Sequence, residues 1–342
     1  MRRHGAGGGL TARSKLVAVA VAGCVAMGLG GCAASDSPTA PDAASDATTD
    51  DASSSSFVID QDFPDPDVLT TDDGYIAFAT NSPGLNLQWA TSTDLASWTV
   101  STDDALPVLP SWASAGRTWA PDVSAAPGGG YLLYFTAEHT ATGKQCIGVA
   151  TSEAPTGPYT PQGTEPIICP FDDGGAIDAS TFTDVDGSPY LVWKNDGNCC
   201  GLDTWLQLST LSADGLAVEG DPVRLMKQTE AWEGDLVEAP TLVRHGDAYV
   251  LLYSANDYGG DDYAMGVATA PTIAGPYTKQ PEPLLTTASS NDAFRGPGGQ
   301  DIIVDDDGDT LVFHSWDENY IYRGMNTAPI EWDGDVPRIV LP

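Results

Sequence analysis

The 342-residue sequence predicts an all-β fold, a five-bladed β-propeller in a single domain, and three observations carry that prediction. A turn glycine followed by an alternating apolar and aromatic strand occurs five times, at Gly74, Gly130, Gly187, Gly246 and Gly308, with spacings of 56, 57, 59 and 62 residues. No segment carries a useful length of 3.6-residue apolar stripe, so helices are expected to be scarce. A repeat of nearly 60 residues has room for four short strands, which is the size of a radial blade around a channel. A β-sandwich would not require so long and regular a repeat.

Taken in order, residues 1–31 are expected to be a lipoprotein signal peptide. Arg2, Arg3, Arg13 and Lys15 form a basic start, and Leu16 to Met27 is an apolar run too short to span a bilayer comfortably. Leu29-Gly30-Gly31-Cys32 resembles a bacterial lipobox, in which Cys32 becomes the lipidated N-terminus; ordinary cleavage and release is the alternative. Residues 32–56 are Ala, Ser, Asp, Thr and Pro beyond that Cys, with no aromatic or large aliphatic side chain. Such a stretch cannot bury enough surface to offset its ordering entropy, so it reads as a flexible tether.

The propeller is expected over residues 57–342. Its repeats open with Gly74-Tyr75-Ile76-Ala77-Phe78, Gly130-Tyr131-Leu132-Leu133-Tyr134, Pro189-Tyr190-Leu191-Val192-Trp193, Ala248-Tyr249-Val250-Leu251-Leu252 and Thr310-Leu311-Val312-Phe313-His314. Second strands follow, as in Gln88-Trp89-Ala90-Thr91-Ser92 and Ile147-Gly148-Val149-Ala150-Thr151. The Asp-rich turns before Gly74, Gly187 and Gly308 do not match a calcium loop. Counting back five from Gly187 and Gly308 reaches Phe182 and Ile303 instead of acids, so hairpin turns explain them better.

Charge limits the partners. Lys and Arg number 14 against 48 Asp and Glu, for a net charge of −34. Phosphate contacts need Lys and Arg, so nucleic acid is excluded as a sequence-independent partner, and polyanionic sugars are disfavoured. A neutral ligand fits best. Four cysteines remain in the exported domain, and an even count outside the cytoplasm favours disulfides. Of the three connectivities, Cys146–Cys169 with a vicinal Cys199–Cys200 bridge is preferred over the two crossed ones. No spacing supports zinc.

Acidic residues recur at similar offsets before the turn glycines: Asp65, Asp122, Asp178 and Glu238, with Gln300 in the fifth repeat. Equal offsets in innermost strands would bring four carboxylates to one mouth of the channel. Like charges so close raise at least one pKa, which keeps a general acid protonated near neutral pH. That favours catalysis over a structural or ion-binding ring.

Phe63-Pro64-Asp65-Pro66-Asp67-Val68, Trp119-Ala120-Pro121-Asp122-Val123, Ala176-Ile177-Asp178-Ala179-Ser180, Val237-Glu238-Ala239-Pro240-Thr241 and Arg295-Gly296-Pro297-Gly298-Gly299-Gln300 resemble the successive motifs of glycoside hydrolase family 43. The resemblance runs from about Phe57 to the C-terminus. It implies a single catalytic propeller domain that hydrolyses glycosidic bonds with inversion. Position by position, it implies Asp65 as general base, Glu238 as general acid and Asp178 as the carboxylate that orients the acid and holds its pKa up. An inverting centre needs Asp65 and Glu238 about 6.5–9.5 Å apart, to admit a water.

Other assignments stay open. Asp122 either orients a neighbour or binds a sugar hydroxyl, or is bonded to backbone. Arg295 reaches sugar and carboxylates, or forms a blade-edge salt bridge. Phe63, Trp119 and Trp232 stack on sugar or pack in the core, and Gln300 is a further substrate-binding candidate. Many relatives have His where this chain reads Gly299-Gln300, which weakens a His-based metal site. His314 near the channel is either a metal neighbour or a hydrogen-bonded core residue. No cofactor is required by the chemistry, with a structural calcium ion in the central channel the one metal considered.

The resulting expectation is a monomeric glycosidase, lipid-anchored on the extracellular face or secreted, with the membrane touched only by the anchor. It would release arabinose from arabinan or arabinoxylan-derived oligosaccharides, most like the family's α-L-arabinofuranosidases. β-Xylosidase or endo-1,5-α-L-arabinanase action on the same fold is the alternative, and a non-catalytic sugar-binding propeller the alternative of another class.

Overall fold

The computed structural model describes residues 57–305 and 308–341. The leader, Cys32 and the tether lie outside the described residues.

Five four-stranded antiparallel sheets follow one another along the chain. The first comprises β1 (Asp67–Thr71), β2 (Gly74–Ala79), β3 (Gln88–Ser92) and β4 (Thr99–Val100), the second β5 (Ala113–Ala125), β6 (Tyr131–His139), β7 (Gln145–Ser152) and β8 (Thr160–Pro161). The third holds β9 (Ala176–Thr183), β10 (Pro189–Asn195), β11 (Trp205–Leu211) and β12 (Val218–Lys227), and the fourth β13 (Val237–His245), β14 (Ala248–Ala255), β15 (Ala264–Ala270) and β16 (Thr278–Lys279). The fifth is β17 (Arg295–Ile303), β18 (Thr310–Trp316), β19 (Arg323–Asp333) and β20 (Val336–Ile339). The five repeats are five propeller blades, with β1, β5, β9, β13 and β17 innermost. Helix among the described residues is confined to three 3-10 turns.

Alternation explains how the blades pack. Successive side chains of a strand point to opposite faces, and here both faces are buried. In β14, Tyr249, Leu251 and Tyr253 join Val192, Leu206 and Leu208 of the third blade. Val250 and Leu252, between them in sequence, join Leu311 and Phe313 of the fifth. Each gap between neighbouring blades holds one such cluster, five in all among the described residues. The ring closes where the N-terminal segment lies on β19: Val58 N–H donates to Met325 O (2.9 Å) and Phe63 N–H to Arg323 O (2.9 Å).

The turn glycines are required sterically. At Gly74, φ is +125°, and a Cβ would stand 2.4 Å from Ser92 O, so no other residue fits that hairpin without moving β3. The disulfides pair Cys146 with Cys169 and Cys199 with Cys200.

Candidate active site

The site is built from one backbone irregularity repeated in every blade. Asp65, Ala120, Asp178, Ala239 and Gly299 all have left-handed backbone, with φ of 53°, 40°, 57°, 47° and 56°. Pairing of β5, β9, β13 and β17 with the next strand shifts register around this residue, the signature of a β-bulge. A bulge bends the strand and re-aims the adjacent side chains. Four non-glycine residues held there cost on the order of 1–3 kcal/mol each. That strain persists because the next interaction fixes it.

The N–H of each bulge residue is accepted by a side chain of the preceding blade. Thr80 Oγ1 accepts from Ala120 (3.1 Å), Thr136 Oγ1 from Asp178 (3.2 Å), Ser254 Oγ from Gly299 (3.0 Å) and His314 Nδ1 from Asp65 (3.1 Å). Lys194 occupies the corresponding place in the third blade and has no acceptor to offer. There the Asp178 carboxylate itself accepts the Ala239 N–H, at 2.9 Å. Lys194 Nζ turns to Glu238 Oε2 instead, at 3.0 Å, while the Tyr263 hydroxyl donates to Glu238 Oε1 at 2.9 Å. The ring of latches is broken at the blade boundary where Glu238 stands.

Asp65, Asp178 and Glu238 line one open cavity of about 770 Å³, which Trp119, Lys194 and Tyr263 also line. Burial would raise the Asp65 pKa, but the Arg323 guanidinium, 3.6 Å away, and the Thr80 hydroxyl, donating at 2.7 Å, hold it well below the usual carboxylate range. Burial, and then the neighbouring Glu238 charge, push the Asp178 carboxyl up to about 8. Lys194 is wholly buried; burial would lower its pKa, but Glu238, Asp178 and Asp196 outweigh that and keep it charged. One carboxylate is therefore firmly ionised, and another keeps its proton to neutral pH and beyond.

His314 sits beneath this floor, fully buried and stacked on Tyr263 at 6.0 Å. Burial and the Arg323 charge push its pKa down. Its Nδ1 is occupied by the Asp65 N–H, so the 3.3 Å approach to Asp65 Oδ1 is a contact of a neutral ring and not an ion pair. Its Nε2 is buried without a hydrogen-bond partner among the described residues, and because Nδ1 accepts, Nε2 carries the ring proton and offers no lone pair to a channel ion. Among the described residues no three His, Cys, Asp or Glu side chains group closely enough to hold a metal ion.

The structure redraws the expected register. Measured from the bulge, Asp65 and Asp178 are equivalent, Glu238 lies one residue before, Gln300 one after and Asp122 two after. Asp122 thus leaves the mouth and joins Asp67 and Asp301 in a second, deeper layer around a narrow channel. Asp301 Oδ2 accepts the Val68 N–H (3.0 Å), Asp67 Oδ2 that of Val123 (2.9 Å) and Asp122 Oδ2 that of Thr181 (2.8 Å). Gln300 is buried too: its Oε1 accepts from Ser254, and its Nε2 donates to Ala239 O.

Phe63 is fully buried between the fifth and first blades. Arg295 donates to Glu318 O at 2.7 Å and does not line the cavity; the arginine beside Asp65 is Arg323. Trp232 stacks on Tyr253 in the core, and Trp119 alone of the aromatic candidates reaches the cavity. Sequence reasoning missed Lys194, Tyr263, Arg323 and Thr80. A signal existed for Lys194, a cation ending the apolar strand Tyr190-Leu191-Val192-Trp193, and one for the register, the prolines Pro66, Pro121 and Pro240 directly after three of the bulge residues.

Acids from separate propeller blades, one ionised and one protonated, around a single open hollow are an arrangement suited to acid–base hydrolysis. A family model described as Glycosyl hydrolases family 43 matches residues 55–337, and the chain belongs to that family. It is 27% identical over 273 residues to the extracellular endo-alpha-(1->5)-L-arabinanase 1 of Bacillus subtilis, covering 75% of this chain and 80% of that protein. Among solved structures, a thermostable family-43 glycoside hydrolase superposes with a TM-score of 0.71 at 26% identity, covering 82% of this chain and 94% of that one. An endo-1,4-beta-xylanase from Bacteroides thetaiotaomicron superposes with a TM-score of 0.70 at 26% identity, covering 83% and 96%.

Proposed function

We propose that the protein hydrolyses arabinofuranosidic bonds of arabinan and its oligosaccharides with inversion. The observation that carries the chemistry is the joint placement of Asp65, Asp178 and Glu238 on one cavity wall with opposite proton affinities at Asp65 and Asp178. In this reading Asp65, ionised at every working pH, takes a proton from the attacking water. Glu238 protonates the leaving oxygen, and Asp178 is the neighbouring carboxyl that orients the acid. The acid–base steps themselves need no metal.

Support for the sugar comes from the arabinanase of Bacillus subtilis. A cavity of about 770 Å³ is in the range that encloses ligands larger than one pentose. Both features favour internal cleavage of the chain over the single-arabinose release that the blade motifs suggest. The extracellular relative and the leader together support export. The lipobox at Cys32 is the basis for proposing a lipid anchor, with residues 33–56 as spacer and a monomeric enzyme beyond it.

Incubation with debranched arabinan, aryl arabinofuranoside and aryl xyloside, with products resolved by size, tests this. Arabino-oligosaccharides are expected from arabinan. Glu238→Gln is expected to lose about 10²–10⁴-fold in kcat and still bind oligosaccharide. No turnover of any arabinoside, or an unchanged kcat in that variant, contradicts the reading.

A further inference from the structure

The two disulfides do different jobs. Cys146–Cys169 spans 23 residues, so it removes entropy from the unfolded chain. Cys199–Cys200 joins adjacent residues and closes no loop beyond its own small ring, so it adds almost nothing to the fold by that route. Its use must be local.

Locally, it sits where a ligand passes. Cys199 and Cys200 are exposed, and Cys199 lines the cavity of Asp65, Asp178 and Glu238, next to Asn198 and Asp196. The 3-10 turn that carries them, Gly197–Cys200, ends in left-handed Gly201. Its base is clamped by buried Asn195, whose side chain holds Asp173 O (2.9 Å), Asp203 O (3.1 Å) and the Trp205 N–H (2.5 Å). Lys144 Nζ lies against both sulfurs from the side. Held at its base in this way, the bridge presents a soft, polarisable facet to the cavity beside the polar side chains of Asn198 and Asp196.

We propose that the Cys199–Cys200 bridge is a binding platform for a sugar ring of the substrate away from the scissile bond. The apolar C–H face of a neutral pentose packs on the two sulfurs as it would on an aromatic ring, and Asn198 offers an amide to its hydroxyls. This assignment rests on the glycosidase reading for the ligand class, and it predicts a gain in affinity with each sugar that reaches the bridge.

Calorimetric binding of neutral arabino- and xylo-oligosaccharides of one to six sugars tests it, on the full exported domain. The unaltered protein is compared with Cys199→Ala/Cys200→Ala, and with unaltered protein mildly reduced so that mass spectrometry shows only the exposed bridge opened. Loss of affinity that grows with chain length, to about five-fold or more for the longest sugars, is expected in both altered forms, with a melting temperature moved by less than about 2 °C. Equal affinity of all three forms at every chain length overturns the proposal, as does an affinity loss that does not depend on chain length. Failure of the unaltered protein to cleave arabinosides counts against the arabinan reading alone, because binding is read independently of turnover.

Discussion

Lys194 shows how one side chain in a repeated position separates scaffold from chemistry. Its counterparts, Thr80, Thr136, Ser254 and His314, each accept a backbone N–H and tie two blades together. A lysine cannot accept, so its charge is available to Glu238, and the Asp178 carboxylate is drawn across to replace the missing latch. The same charge lowers the proton affinity of Asp178, against the upward push of burial and Glu238. Lys194→Met keeps the buried stem and removes the charge. The alkaline limb of its kcat/KM–pH profile is expected to move up by about one unit or more, with a lower maximum. A profile that merely falls in height, with its limb unmoved, would leave Lys194 a packing residue.

The innermost strands are stitched at two levels. Above are the bulge N–H latches; below, Asp67, Asp122 and Asp301 each hold the N–H of the following blade. The upper level constrains sequence tightly at the fifth blade. A Cβ on Gly299 would stand 2.5 Å from His314 Nδ1 and 2.8 Å from Asp65 Oδ1, so a side chain there would dislodge both. The lower level constrains pH. Burial pushes Asp122 up to about 6 and Asp301 up to about 7, and burial with the charges of Asp122 and Asp301 raises Asp67 as well. Groups whose folded pKa exceeds the unfolded one bind protons more tightly in the native state. Their contribution is complete below the unfolded value near 3.8 and is lost as pH rises through 6 to 7. Asp65, held low, acts oppositely only below that window; His314, pushed down by burial, opposes within it but is one group against several raised carboxyls. Calorimetry at pH 5 and pH 8 is therefore expected to give a melting temperature lower at pH 8 by about 5 °C. An equal or higher value at pH 8 would show that the lower ring does not share protons in this way.

At the scale of the molecule, the blades were legible because each carries the same strand pattern between turn glycines, and repetition averages out local ambiguity. Asp65, Asp178 and Glu238 were legible through their motifs. The register was not, because the distance from bulge to turn glycine varies among blades, and an offset counted from the turn misplaces Asp122 and Gln300 into the mouth. Arg323 was invisible for another reason: it belongs to β19, the third strand of its blade, and meets Asp65 only once the ring has closed. Tyr263 reaches Glu238 within the fourth blade, from the loop residue just before β15, at a separation too long for a local motif to show. Contacts made across the closing ring leave no local pattern in the sequence.

Closure of that ring brings Asp65 and Glu238 to one hollow, and the claim that they act from opposite sides of the bond has a direct readout. Proton NMR of the sugar freshly released from an α-linked arabinofuranoside reports its anomeric configuration before mutarotation. The β-anomer is expected first, as inversion by a water on Asp65 requires. The α-anomer appearing first would mean a covalent intermediate and would contradict the roles given to both residues.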